Sequence, residues 1–204
     1  MTLRTLLSSC LALLLVAPLA AQEGPHLGLE VGTTRWGAIG HEDGNPSNEL
    51  VPDEPTMVTV RFTTRIGRMG LGLSIGRAAR IGFASPNGPG FNLTGEDQAA
   101  IWELSPEARI ALLGAGRPVQ LFVHAGLVFD KWHIKNFENR NRGGVIGGAT
   151  ARAALGQGWG LDLRWDYLSG STPFNPNEAG TGTSLDGVRR SRFGVGLGRE
   201  LSHR

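Results

Sequence analysis

Cysteine is almost missing from this chain of 204 residues: Cys10 is the one thiol, and it lies in a leader-like segment at the N-terminus. The rest of the chain therefore has no disulfide and no cysteine-based metal site to stabilise it. Lysine is nearly as scarce. Lys131 and Lys135 are the two lysines among 20 basic residues, against 18 acids, for a formal net charge of +2. A balance that close provides no basic field and gives no reason to expect a nucleic-acid partner. Outside the leader no apolar run reaches the ~18–20 residues of a membrane helix, so a bilayer crossing would have to be made by strands. The phosphate-binding patterns G-x-x-x-x-G-K-[ST] and G-x-G-x-x-G are missing, and no two of His26, His41, His124, His133 and His203 stand at zinc-ligand spacing. Neither a cofactor nor a metal is expected.

What the chain does contain is glycine, 31 residues with no collagen-like period. That much glycine disfavours helices and suits strands and turns. The N-terminus has a secretory layout: Arg4, an apolar run from Leu6 to Leu19, small Ala20 and Ala21, then polar Gln22 and Glu23. Residues 1–21 are expected to be a cleaved signal peptide, cut after Ala20 or Ala21, and residues 22–204 the mature domain. Leu7-Ser8-Ser9-Cys10 is only loosely like a lipobox, because most of the apolar run follows the cysteine.

From Leu27 onward the sequence alternates with period two, the pattern of strands with two chemically different faces. Eight such runs can be traced. In the first, Leu27, Leu29 and Val31 oppose Gly28, Glu30 and Gly32. In the second, Val58, Val60, Phe62, Thr64 and Ile66 oppose Arg61 and Arg65. Leu71, Leu73 and Ile75 alternate with glycines and Ser74. Trp102, Leu104, Ala108, Ile110 and Leu112 face away from Glu103, Glu107 and Arg109, with Pro106 expected to force a bulge. Val119 to Phe129 oppose His124 and Asp130, Val145 to Leu155 oppose Thr150 and Arg152, Leu161 to Tyr167 oppose Asp162, Arg164 and Asp166, and Phe193, Val195 and Leu197 oppose Arg192 and Glu200.

The connections alternate too. Short, glycine-rich turns at 67–70, 114–118 and 156–160 are interleaved with long polar stretches at 38–55, 84–97, 131–143 and 169–187. A transmembrane barrel sorts its connections in this way, with short turns at one mouth and long loops at the other. The expected fold is all-β: a closed, antiparallel, up-and-down transmembrane barrel of about eight strands. Its apolar rows should face lipid. Its polar rows should pair inside as a lumen charge network of Glu30, Arg61, Arg65, Glu103, Glu107, Arg109, His124, Arg152, Asp162, Arg164, Asp166, Arg192 and Glu200, since buried charges persist only when paired. Trp36, Trp132 and Trp159 fall at strand ends, where interfacial girdle aromatics or core aromatics would equally stand.

On these features the chain resembles the small bacterial outer-membrane β-barrel proteins of the OmpA/OmpX-like class, over residues 23–201. The resemblance implies a cell outer-membrane location after export, insertion by the barrel-insertion machinery, contact with outer-membrane lipids and lipopolysaccharide, and a monomer. It departs from the family at its end, Leu201-Ser202-His203-Arg204, where a terminal aromatic is usual.

Further candidates are weighed against plainer readings. Gly72-Leu73-Ser74-Ile75-Gly76 matches a nucleophile elbow, but sits in an alternating strand with no helix after it. His41, Glu42, Asp43, Glu49, Asp53 and Glu54 make an oxygen-rich loop without EF-hand spacing. Lys131, Trp132, Lys135, Arg140 and Arg142 form a basic, aromatic cluster that could contact lipid headgroups or a partner. The expected role is non-enzymatic, structural or surface-interacting through the long loops, and not a wide porin. The alternatives are a soluble periplasmic, lipocalin-like barrel with apolar rows turned inward around an apolar ligand, and a lipid A deacylase or acyltransferase.

Overall fold

In the computed structural model, residues 23–84, 95–113, 118–175, 178 and 182–201 are described. The expected signal peptide and the connection 85–94 lie outside them, as do most of 114–118 and the last three residues. The strands are β1 (Glu23–Trp36), β2 (Gly40–Glu42), β3 (Asn45–Pro52), β4 (Thr56–Ile66), β5 (Met69–Ala84), β6 (Gly95–Leu113), β7 (Val119–Ile134), β8 (Arg140–Gly156), β9 (Trp159–Gly170), β10 (Thr183–Leu185) and β11 (Val188–Glu200).

Eight of these strands close into a barrel of antiparallel neighbours in the order β5-β4-β1-β11-β9-β8-β7-β6, with β6 pairing back onto β5. The first and last strands meet in a long, unshifted ladder from His26↔Glu200 to Trp36↔Arg190. Closure removes the free strand edges that an open sheet would present. The short turns lie at one mouth. Between β8 and β9, Gln157 (φ 52°) and Gly158 (φ 78°) both take positive φ, as a type I′ hairpin turn demands.

The alternation decides which way each face points. Leu29, Val31, Val60, Ile75, Ile110, Leu127, Val145, Leu163, Trp165, Phe193 and Leu197 stand outward on the wall, each roughly half exposed. Glu30, Arg61, Glu103, Glu107, Arg164, Asp166 and Arg192 are buried inside. Burying a Leu- or Val-sized side chain is worth about 1.5–3 kcal/mol, so a continuous wall of them is unfavourable in water and favourable in lipid. The inward-facing apolar rows of the lipocalin-like alternative are contradicted by this orientation.

Several expectations at the other mouth are corrected. Strands β5 to β8 run 16–19 residues, well past the ~9–11 that cross a bilayer. The stretch 131–143, read as a long loop, is mostly strand, turning over residues 135–139, because main-chain pairing continues after the apolar alternation ends. The polar segment 38–55 contains β2 and β3, which with β10 form a small sheet joined to β5 through Val51↔Ala84 and Pro52↔Phe83. Pro106 makes no bulge. It pairs with Leu73 in unbroken register, and the β6–β7 ladder keeps its register on either side, at Leu104↔Phe129 and Glu107↔Gly126. Of the two places open to the strand-end tryptophans, Trp36 and Trp132 take the core. They face inward, 7% and 1% exposed, with ring centroids 5.5 Å apart. They belong to an apolar core that includes Ile39, Leu50, Ile81, Phe83, Ile101, Phe174 and Val188 and fills this end of the barrel.

Candidate functional site in the barrel interior

Below that core the interior is ionic. Each charged side chain reaches the lumen because it occupies the inward parity of its strand, and the register brings opposite signs to the same level. One line of contacts crosses the barrel. Glu30 on β1 accepts from Arg61 on β4 at 2.6 Å, and Arg61 lies 4.0 Å from Glu107 on β6. Glu107 takes both terminal nitrogens of Arg164 on β9, at 2.6 and 3.1 Å. Arg164 Nε donates to Asp166 at 2.7 Å, and Asp166 also accepts from Arg192 on β11 at 2.6 Å. Arg192 and Arg190 then share Glu103, at 2.9 and 2.6 Å, and Arg190 ends the line on Asp130 at 2.9 Å. Positive and negative groups alternate along its whole length.

Branches extend the line. The His124 ring Nε2 is 2.7 Å from Asp166 Oδ1, both side chains being 1% exposed or less. Ser105 donates to Glu103 at 3.1 Å. Nearer the short-turn mouth, Arg152 grips Asp162 with two nitrogens, at 2.7 and 2.9 Å, and contacts the His26 ring at 3.1 Å. Arg109 takes a different partner: its guanidinium carbon is 3.9 Å from the Phe122 ring centroid.

Glycine makes the space. A Cβ on Gly72 would stand 2.8 Å from the Glu107 side chain, and one on Gly194 would stand 2.5 Å from Glu30 Oε1. At Gly148 it would meet the Trp165 carbonyl first, and also His124 Nε2 at 2.7 Å and Asp166 Oδ1 at 2.9 Å. Gly72 and Gly194 thus lie where long side chains from a neighbouring strand cross the lumen, whereas Gly32, Gly126 and Gly144 lie against neighbouring backbone.

Of the thirteen residues expected in this network, Glu30, Arg61, Glu103, Glu107, Arg109, His124, Asp162, Arg164, Asp166 and Arg192 are buried, and Arg65 and Arg152 are half-buried. Glu200 departs from the expectation. It is exposed at the short-turn mouth, where it accepts from the Gly24 amide at 2.8 Å. It has the inward parity, but β11 has reached its end there. Arg190, Asp130 and His26 were missed. Arg190 has the parity of Arg192 but precedes the start of the last alternating run; Asp130, on the polar side of its run, joins the network through Arg190 at 2.9 Å.

The basic, aromatic cluster of the third connection is split by alternation and by loop contacts. Lys131 and Lys135 are exposed, whereas Trp132 is inside. Arg140 pairs through two nitrogens with Glu178, and Arg142 Nε donates to the Thr172 carbonyl at 2.6 Å. Trp132, Arg140 and Arg142 therefore do not form an outer contact surface. The Arg140 bonds hold the Glu178 carboxyl below the usual carboxylate range.

The acidic segment is engaged by its own hairpin and by the β10 segment: Glu42 accepts from Asn48 at 2.8 Å, Asp43 from Ser184 at 2.6 Å, and His41 contacts Asp186 at 3.0 Å. Ser74 is buried in mid-strand, 3.5 Å from the Ser105 carbonyl, without the exposed turn that an elbow nucleophile needs.

No family model matches the chain, and no curated protein sequence matches it. Solved structures do. Neisserial surface protein A aligns at 11% identity over 87% of this chain and 97% of its own, with a TM-score of 0.55. The outer membrane protein AlkL in DMPC bilayers aligns at 11% over 93% and 96%, TM-score 0.55. Ail, the attachment invasion locus protein of Yersinia pestis, solved with the heparin analogue sucrose octasulfate, aligns at 16% over 88% and 100%, TM-score 0.51. The closed eight-stranded barrel of this chain has the fold of the small outer-membrane β-barrel proteins.

Proposed function

We propose that this protein is exported through its N-terminal leader and resides in the bacterial outer membrane as a non-enzymatic barrel, with a structural or surface-interaction role carried by the long-strand mouth. The observation that carries this reading is the inversion of the wall, apolar side chains outward and ion pairs inward. Acyl chains solvate such a wall; water does not.

A role as a wide pore is disfavoured by the filling of the interior. The ionic line crosses the lumen between strands on different sides, and the Trp36–Trp132 core occupies the next level. Eight strands leave an interior that side chains can fill. The lipid A-modifying alternative gains nothing from Ser74, which is enclosed in the wall. Outer-membrane lipids and lipopolysaccharide are the partners this reading requires, with the insertion machinery during assembly.

The test is fractionation combined with gel mobility. The mature protein should partition with detergent-extracted outer membrane, and an unboiled sample should migrate faster than a boiled one. Recovery in the soluble periplasmic fraction, with no mobility difference, would overturn the assignment.

A further inference from the structure

The outer wall has one corner where lipid-facing and charged chemistry meet. Arg77 on β5, Trp102 on β6 and Lys131 on β7 are successive partners across three strands. All three point outward and are exposed, and the Arg77 guanidinium carbon lies 5.1 Å from the Trp102 ring centroid. The next outward row toward the short-turn mouth is apolar: Ile75 pairs with Leu104, and Leu104 with Phe129. On the opposite side lies a shallow cavity of about 340 Å³, lined in part by Arg80, Asp97, Gln98, His133 and Lys135.

Three features set this corner apart. Arg77 and Lys131 flank Trp102, and Arg80 and Lys135 line the cavity with Asp97, in a chain that is otherwise almost neutral and whose lumen charges are mostly paired. Among the described residues, none of these four cations forms an ion pair. The backbone is also unusual here: Arg80 (φ 60°) and Asp97 (φ 54°) are both left-handed, beside the register shift between Ala78 and Ile81. Side chains other than glycine avoid that region, and such conformations concentrate where function requires them.

We propose that this corner binds the phosphate-bearing headgroup of an outer-leaflet lipid. The inference rests on the membrane reading above. The acyl chains run along Ile75, Leu104 and Phe129, and Trp102 sits at the boundary, where indole rings favour the headgroup level. Arg77 and Lys131 hold the phosphate, the planar guanidinium offering paired donors to its oxygens, and the cavity takes the rest of the headgroup. A free anion would use the cations but not the apolar row, so a lipid is the occupant that fits both.

The experiment uses the full mature chain in phosphatidylcholine nanodiscs doped with lipid A or with phosphate-stripped lipid A, reading co-retained lipid by mass spectrometry. Wild type should enrich lipid A over phosphatidylcholine and over the stripped form. Arg77→Gln and Lys131→Gln should each lower that enrichment about fivefold, the size expected for one interfacial charge. Arg199→Gln, whose arginine stacks on Trp159 at the opposite mouth at 5.6 Å, should leave it unchanged. Unboiled gel mobility checks that every variant has folded. The proposal is overturned by equal enrichment in an Arg77→Gln/Lys131→Gln double variant, by equal retention of stripped lipid A, by displacement with inorganic phosphate, or by an equal loss in Arg199→Gln. A wild type that fails to embed would remove the membrane reading itself, whereas an embedded wild type without headgroup preference removes this inference alone.

Discussion

Arg164 reaches from β9 across the lumen to take both carboxylate oxygens of Glu107 on β6, with Nη2–Oε2 at 2.6 Å and Nη1–Oε1 at 3.1 Å. The two residues are 57 positions apart in sequence, and both side chains are almost fully buried. Removing Glu107 strips both terminal-nitrogen bonds from the buried Arg164, which keeps only its Nε bonds to Asp166.

Glu107→Gln is therefore expected to destabilise the barrel by about 3–5 kcal/mol. The double variant Glu107→Leu/Arg164→Met should cost less than the sum of the two single changes, because removing both charges together removes the unpaired state. Urea titration in detergent micelles, followed by the folded and unfolded gel bands, measures Glu107→Gln, the double variant and its component changes Glu107→Leu and Arg164→Met. An additive double variant would show that the two groups act independently.

Gly148 tests the spatial role of lumen glycine. Gly148→Val drives a Cβ against the Trp165 carbonyl and methyl groups toward the His124–Asp166 contact, and overpacking of this kind costs at least about 1–3 kcal/mol. Ala149→Val, one position away on the lipid-facing parity, should be nearly neutral. Thermal unfolding of the two variants in the same detergent compares them directly, and equal midpoints would dismiss the crowding argument.

The outer loop carries a pH-dependent latch. Arg140 holds the Glu178 carboxyl below its ordinary range, so the folded loop binds this proton less readily than the unfolded loop does. The resulting stabilisation is present at pH above the ordinary carboxylate range and is lost as pH falls through the lowered folded value. Protection of the Ser171 amide, which donates to the Gly143 carbonyl at 3.3 Å, is expected to be constant near neutrality and to drop in acid once intrinsic exchange is corrected for. Glu178→Gln should show the low protection at every pH. Protection that ignores both acid and the substitution would exclude the latch.

Much of the fold was legible because strand geometry has a period of two. Leu27-Gly28-Leu29-Glu30-Val31 declares two faces without reference to any other part of the chain, and eight such runs with sorted connections specify a barrel. The same local rule failed at the outer mouth. Lys131, Trp132, Lys135, Arg140 and Arg142 look like one polar cluster in sequence, yet main-chain pairing carries β7 through Ile134 and turns Trp132 inward.

Sequence alone thus determined that the protein is made of two-faced strands, and it named most of the charges on their polar side, because parity is a local property. Tertiary structure decided which carboxylate meets which guanidinium, that Arg190 and Asp130 join the line, and that Trp36 and Trp132 pack within the barrel. Those outcomes depend on register and closure, which bring β1 against β11 and β6 against β5, and distance along the chain carries no record of them.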